Sequence, residues 1–137
     1  MDGATMRALF AGARVARLAT VRPDGWPHIV PVVYALDGDA VVTPVDHKPK
    51  RTVDLQRLRN IRHEPRVAML ADGYDDEWAR LWWVRVDGVA TVIETGSPEH
   101  GRAAAALAGR YAQYRDHPIA GPIIAVQAQR WIGWRWS

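Results

Sequence analysis

The residues best equipped for chemistry fall in one short stretch. Lys48, Lys50 and Arg51 lie within four residues of Thr52 in VVTPVDHKPKRTVDLQRL (Val41–Leu58), where an apolar run gives way to a cation-rich turn and then to a helical pattern. A helix N-terminus offers unpaired backbone N–H groups and the positive end of the peptide dipoles. A basic turn beside a helix start at Thr52 therefore makes an anion cradle, for which phosphate is the matching guest. Pro49 fixes its own φ and biases Lys48 toward extended backbone, which narrows the directions in which the two lysines point. From Lys48 to Arg66 there are seven Lys or Arg against two acids, Asp54 and Glu64, in a chain of net charge +3, so the remainder is slightly acidic. Such localisation favours a polyanionic ligand over a diffusely basic surface.

Other chemistries are poorly supplied. With no cysteine, disulfides, thiolate catalysis and Cys-ligated metal are excluded, and the five histidines show no metal-ligand spacing. His28 has neither Ser nor Cys close by along the chain and only Asp24 as a nearby acid. It reads as a ligand contact or packing residue rather than a general base, and no residue is assigned as an acid or base catalyst. Seven tryptophans against one phenylalanine suit ring stacking or an extensive interface. The 137 residues are 48% hydrophobic with no long apolar run, so a single domain over 1–137 is expected, soluble and cytoplasmic, with neither membrane span nor secretory signal.

The elements that must hold the basic turn follow from periodicity. Met6, Leu9 and Phe10 predict a short opening helix ended near Gly12. Arg14–Val21 predicts a strand, Arg22-Pro23-Asp24-Gly25 a tight turn, and Trp26–Leu36 its partner, with His28, Val30, Val32 and Tyr34 on one face. Pro31 removes a ladder donor, which marks that strand as an edge or as bulged there. Ala40–Val45 is the third strand. In the helix from Thr52 to the Glu64-Pro65 stop, Leu55, Leu58 and Ile61 form the buried stripe and Arg57, Arg59 and Arg62 point outward. Arg66–Ala71 and Leu81–Glu94 are the next strands, with Trp82, Val84 and Val86 sharing a face of the latter and Gly88 marking a bulge. Ser97-Pro98-Glu99 opens a helix carrying Ala103, Leu107, Tyr111 and Tyr114. Ile123–Trp136 is the last strand, with Ile124, Val126, Ala128, Ile132, Trp134 and Trp136 on one face. Six strands and two or three helices predict a mainly β fold, a small antiparallel barrel with helices at its rim.

The order ATVRPDGWPHIVPVVY, VVTPVDHKPKRT, PRVAMLAD and DEWARLWWVRVDGVATV resembles the flavin and deazaflavin oxidoreductase superfamily typified by pyridoxamine 5'-phosphate oxidase, and within it the members that use coenzyme F-420. The resemblance covers nearly the whole chain. It implies a six-stranded split β-barrel of the FMN-binding type, a homodimer with two cofactor sites at the subunit interface, and phosphate contacts from the turn after the third strand. Carried over, Lys48 and Lys50 match the phosphate grip, with Arg51 a third. Thr43 and Pro44 match the strand end beside the ring, and His28, Val30 and Pro31 match the strand that borders it. Trp78 and Trp83 fall where aromatic residues approach cofactor or substrate. The chain is much shorter than the oxidase itself and lacks its substrate-binding extensions.

The expected activity is hydride transfer between F-420, or alternatively FMN, and a small organic substrate. The absence of a protein nucleophile agrees with this, because the cofactor carries the chemistry. A carrier of the same fold without turnover is the alternative. A nucleic-acid-binding barrel would also combine cations with aromatics, but here the cations cluster in one turn and helix while most tryptophans lie in the last two strands. Neither nucleic acid nor membrane is expected as a partner. The last strand, through Arg130, Trp131, Trp134 and Trp136, is the expected contributor to the dimer.

Overall fold

The computed structural model describes residues 1–45 and 55–136. Helix α1 (Gly3–Gly12) starts where the Asp2 carboxylate accepts the Thr5 N–H at 2.8 Å, satisfying one of the free donors of the first turn. Strands β1 (Ala16–Val21) and β2 (Pro27–Val32) form the expected hairpin. Its turn places Gly25 at a φ of 89°, a left-handed conformation that glycine adopts without steric cost.

The strand expected over Trp26–Leu36 does not run through. It stops at Val32 and resumes as β3 (Ala35–Asp37), followed by β4 (Ala40–Pro44), so the described residues hold seven strands where six were expected. The break lies at Val33 and Tyr34, and side chains far away in sequence account for it. The Tyr34 N–H donates to the Tyr111 hydroxyl at 3.1 Å, and its carbonyl accepts from Arg110 Nη1 at 2.8 Å and from the Tyr111 hydroxyl at 3.0 Å. Its backbone is thus satisfied without a neighbouring strand. The fully buried Tyr34 hydroxyl donates to the carbonyls of Phe10 and Ala13. Burial pushes this phenol up to about 12, against the opposing pull of Arg110.

After β4 come α2 (Gln56–His63), β5 (Arg66–Gly73), a single 3-10 turn (Trp78–Arg80), β6 (Trp82–Ile93), α3 (Pro98–Arg110), α4 (Gln113–Asp116) and β7 (Ile123–Arg135). Leu55, in extended conformation, holds the N-cap position of α2, whereas Thr52, expected there, lies outside the described residues. The helix expected to run through Tyr114 breaks at Tyr111, whose φ of −119° ends α3. Among the described residues no helix is long and apolar enough to cross a membrane.

All strand pairs are antiparallel, in the order β2-β1-β5-β6-β7-β4-β3. The two edge strands, β2 and β3, are consecutive in sequence and joined by two residues. Three Cα steps span at most roughly 11 Å, so the sheet must curl until its edges nearly meet. The result is a split barrel with flanking helices, and Pro31 sits on an edge as its missing donor requires. Leu18, Met69, Val84, Val86 and Val126 fill the interior with Leu58 and Ile61 from α2, and Phe10 of α1 packs on Tyr34 and Trp131. On the far side of β4, Val42 packs with Ala103 and Leu107 of α3.

The β6–β7 register shifts between Asp87 and Gly88, so Gln129 is an extra residue in β7. The bulge is where Gly88 marked it, and its consequence for β7 overturns one expectation. Ile124, Val126 and Ala128 face the interior as expected, but beyond Gln129 the alternation inverts. Trp131 turns inward against Phe10, while Trp134 and Trp136 are exposed on the outer face.

Candidate functional site

Where the β2–β3 break meets the end of β4 and the start of α2, a cleft of 260 Å³ opens, walled by Pro31, Val32, Val33, Thr43, Pro44 and Arg57. Two prolines and two valines give flat apolar sides. At the floor Thr43 is 1% exposed, and its Oγ1 has no hydrogen-bond partner among the described residues. A buried hydroxyl in that condition is a candidate contact for a ligand atom. Arg57, half-buried, also lines the cleft and is its one charged residue among the described ones.

The position of Arg57 is set by polar bonds that dock its helix. Asn60, fully buried, donates through Nδ2 to Thr20 Oγ1 at 2.9 Å and accepts from Gln56 Nε2 at 2.7 Å, and Arg59 in turn donates to Gln56 Oε1 at 2.6 Å. This chain of bonds holds α2 against β1, which leaves Arg57 at the cleft and the side chains of Arg59 and Arg62 exposed. Arg62 lies 3.6 Å from Glu94.

Of the residues expected at the site, Pro31, Thr43 and Pro44 are brought together. Val30 is half-buried against the core. His28 stands opposite Thr20 in the β1–β2 register, half-buried on the inner face, and its Nδ1 has no partner among the described residues. It is not among the residues walling the cleft. Lys48, Lys50 and Arg51 lie outside the described residues.

Trp83 and Trp78 belong to another surface. Trp83 lines a shallow concavity of 480 Å³ on the outer face of β2, β1, β5 and β6, with Ala19 and Ala68 in its floor and Ile29 and Leu70 beside them; Arg17 and Asp72 pair at its rim, 3.6 Å apart. Trp83 is directly opposite Trp134 across β6 and β7. Trp134 packs edge-on to Trp136 at 6.5 Å, and Trp136 to Trp78 at 5.8 Å. An apolar stripe thus crosses the outer sheet face from β2 to the end of β7.

A sequence profile of the family described as pyridoxamine 5'-phosphate oxidase matches residues 3–135. The chain belongs to this family. Solved structures carry the same split barrel. A conserved hypothetical protein of Mycobacterium tuberculosis is 24% identical with a TM-score of 0.80, over 98% of this chain and 85% of its own. A heme binding protein from Mycobacterium smegmatis is 26% identical with a TM-score of 0.73, over 93% of this chain and 52% of its own. An F-420 reductase is 26% identical with a TM-score of 0.64, over 96% of this chain and 98% of its own. No curated protein matches the sequence.

In this oxidase-family barrel the residue that sequence reasoning misplaced is Arg57, expected to point outward. The signal lay in helical phase. Residues four apart share a flank, and Ile61 is buried, so Arg57 stands at the border of the buried stripe and not opposite it. Val32 and Val33 enter the cleft because the strand breaks there, which nothing local announced.

Proposed function

We propose that the protein is a homodimeric oxidoreductase that uses coenzyme F-420 to exchange hydride with a small organic substrate. The observation that carries this reading is the buried Thr43 hydroxyl, without a hydrogen-bond partner among the described residues, in a largely apolar cleft that Arg57 also lines, at the split of an oxidase-family barrel. A flat conjugated ring with polar atoms along one edge matches that combination. The described residues fit such a group: Pro31 and Pro44 would offer it apolar surface, Thr43 a hydroxyl donor and Arg57 a cation, while Lys48, Lys50 and Arg51, outside the described residues, would hold the phosphate as the family resemblance implies. When bound, F-420 supplies the carbon that gives or takes hydride. The chain binds, orients and excludes water, and no side chain is assigned as acid or base.

F-420 is favoured over FMN because its anionic tail continues past the phosphate, and the exposed Arg59 and Arg62 lie further along α2 to meet it. The 26% identity to an F-420 reductase over nearly the full length of both chains supports the same choice. The outer apolar stripe supports the dimer, since Ile29, Trp78, Trp134 and Trp136 are 64%, 59%, 42% and 45% exposed and lie on one sheet face. Arg130 is proposed to contribute as well, whereas Trp131, turned inward against Phe10, is left out of the proposed interface.

The likeness to a heme binding protein favours a second reading, a carrier that binds without turnover. Assaying purified protein for oxidation of reduced F-420 with enones and quinones separates the two. The oxidoreductase reading expects catalytic turnover with at least one acceptor class. Tight F-420 binding with no turnover across both classes would favour the carrier.

A further inference from the structure

We propose that Arg110, the last residue of α3, and Tyr111, its C-cap, are positioning residues for the Thr43 cleft, a clamp that sets two of its walls from outside. Neither residue lines the cleft. The two walls in question come from irregular chain: Val15 belongs to the linker between α1 and β1, and Val33 to the break between β2 and β3. Backbone outside a ladder has no neighbouring strand to fix it, so its polar groups need partners from elsewhere.

Both segments find them at the end of α3. Arg110 donates through Nη1 to the Tyr34 carbonyl at 2.8 Å and through Nη2 to the Ala13 carbonyl, so one planar guanidinium bridges the break and the linker. The Tyr111 hydroxyl accepts from the Tyr34 N–H at 3.1 Å, donates to the Tyr34 carbonyl at 3.0 Å and lies 3.5 Å from the Arg14 carbonyl. The residues so held are the chain neighbours of the walls, because Tyr34 follows Val33 and Arg14 precedes Val15.

The clamp is itself fixed. The Arg110 guanidinium lies over the rings of Tyr34 and Tyr111, 4.8 and 5.3 Å from their centroids. The fully buried Tyr34 side chain anchors the break from the core side through its hydroxyl. What remains to be set is the direction of Val33, and the Val33–Tyr34 peptide, whose N–H the Tyr111 hydroxyl holds, sets it. A ligand that needs both walls in place binds with an affinity scaled by the fraction of molecules that have them so. That this ligand is F-420 rests on the function proposed above; that the walls depend on the clamp does not.

The test uses the full chain in two variants. Tyr111→Phe keeps the ring and deletes the hydroxyl, and Arg110→Lys keeps the charge but loses the two-pronged fork. Amide NMR of the cofactor-free chain reads the walls, and fluorescence titration reads F-420 affinity. Both variants should shift the amides of Val15 and Val33 and leave those of Met69 and Val86, in the barrel interior, where they are. Both should bind F-420 roughly three- to tenfold more weakly, the range over which one or two lost hydrogen bonds move the equilibrium of the walls. Gly88→Ala, which crowds the barrel at the β7 bulge, is the control for lost stability alone and should bind F-420 within about twofold of the parent. Unmoved wall amides, wall shifts with unchanged F-420 affinity, or an equal loss of affinity in Gly88→Ala would reduce the pair to a structural role and overturn the proposal. Shifts confined to the walls in a parent chain that fails to bind F-420 would sustain the clamp and remove the cofactor reading instead.

Discussion

Thr43→Val separates a hydroxyl kept for a ligand from one kept for the fold. The substitution exchanges a hydroxyl for a methyl at a position 1% exposed, in a strand where both residues are well tolerated. A buried polar atom without a partner costs about 1–3 kcal/mol, and Thr43 Oγ1 has none among the described residues. Removing it should therefore stabilise the cofactor-free protein by about 1–2 kcal/mol, which for a chain of this size raises Tm by roughly 3–8 °C. The same change deletes a donor to the ring and should weaken F-420 binding roughly two- to twelvefold, the equivalent of one ordinary hydrogen bond. Scanning calorimetry of the apoprotein and fluorescence titration with F-420 read the two effects, and Thr43→Ser serves as the hydroxyl-retaining control. Opposite signs are the signature of a ligand-directed group. A lower Tm with unchanged affinity would refute the reasoning and make Thr43 a structural residue.

Three further outcomes can be checked, two of the barrel and one of the proposed dimer. At Gly88 a Cβ would lie 2.5 Å from the Gln127 carbonyl oxygen and 2.7 Å from Val126 Cγ1, so Gly88→Ala should lower the urea-derived stability by about 2 kcal/mol or more; a neutral result would mean that β7 yields freely at its bulge. Burial alone would raise the pKa of Asp87, but hydrogen bonds from Arg130 and Arg85 outweigh it and hold the carboxyl below the usual aspartate range. Its stabilisation is complete above the ordinary aspartate value and fades as pH falls through the lowered one, so Asp87→Asn should lower Tm at neutral pH and flatten its acid dependence. If the dimer proposed above buries the outer apolar concavity, the parent chain should sediment as a dimer and Ile29→Glu as a folded monomer, whereas a dimeric variant would contradict that interface.

Much of the frame was legible before any coordinates. Pro31 announced an edge strand because it cannot donate to a ladder, Gly88 announced the bulge, and the Leu58 and Ile61 stripe announced which side of α2 is buried. Long-range effects were hidden. Tyr34 leaves the sheet because Arg110 and Tyr111, 76 and 77 residues away, take its backbone groups, and no local pattern carries that information. Gln129 looks like any strand residue, yet as the extra residue of the bulge it sends Trp131 inward and Trp134 and Trp136 outward. For the site, strand-end residues Thr43 and Pro44 and edge residue Pro31 were found together, while Arg57 was misdirected by counting charge without helical phase. Trp78 and Trp83, expected beside the ring, do not line the Thr43 cleft; Trp83 lines the concavity on the outer sheet face.

The most direct test of the account is a fluorescence titration of the full chain with F-420 and with FMN, repeated for Lys48→Ala and Lys50→Ala at low and high salt. A charge-assisted contact to phosphate contributes about 1.5–3 kcal/mol, so each variant should bind F-420 roughly ten- to a hundredfold more weakly. The exposed Arg59 and Arg62 should each matter by about 1 kcal/mol or less, an effect erased by salt. The account predicts tighter binding of F-420 than of FMN, with a salt-sensitive preference for longer glutamate tails. Equal or tighter FMN binding, with both lysine variants indifferent, would leave the family and the barrel in place and contradict the F-420 function.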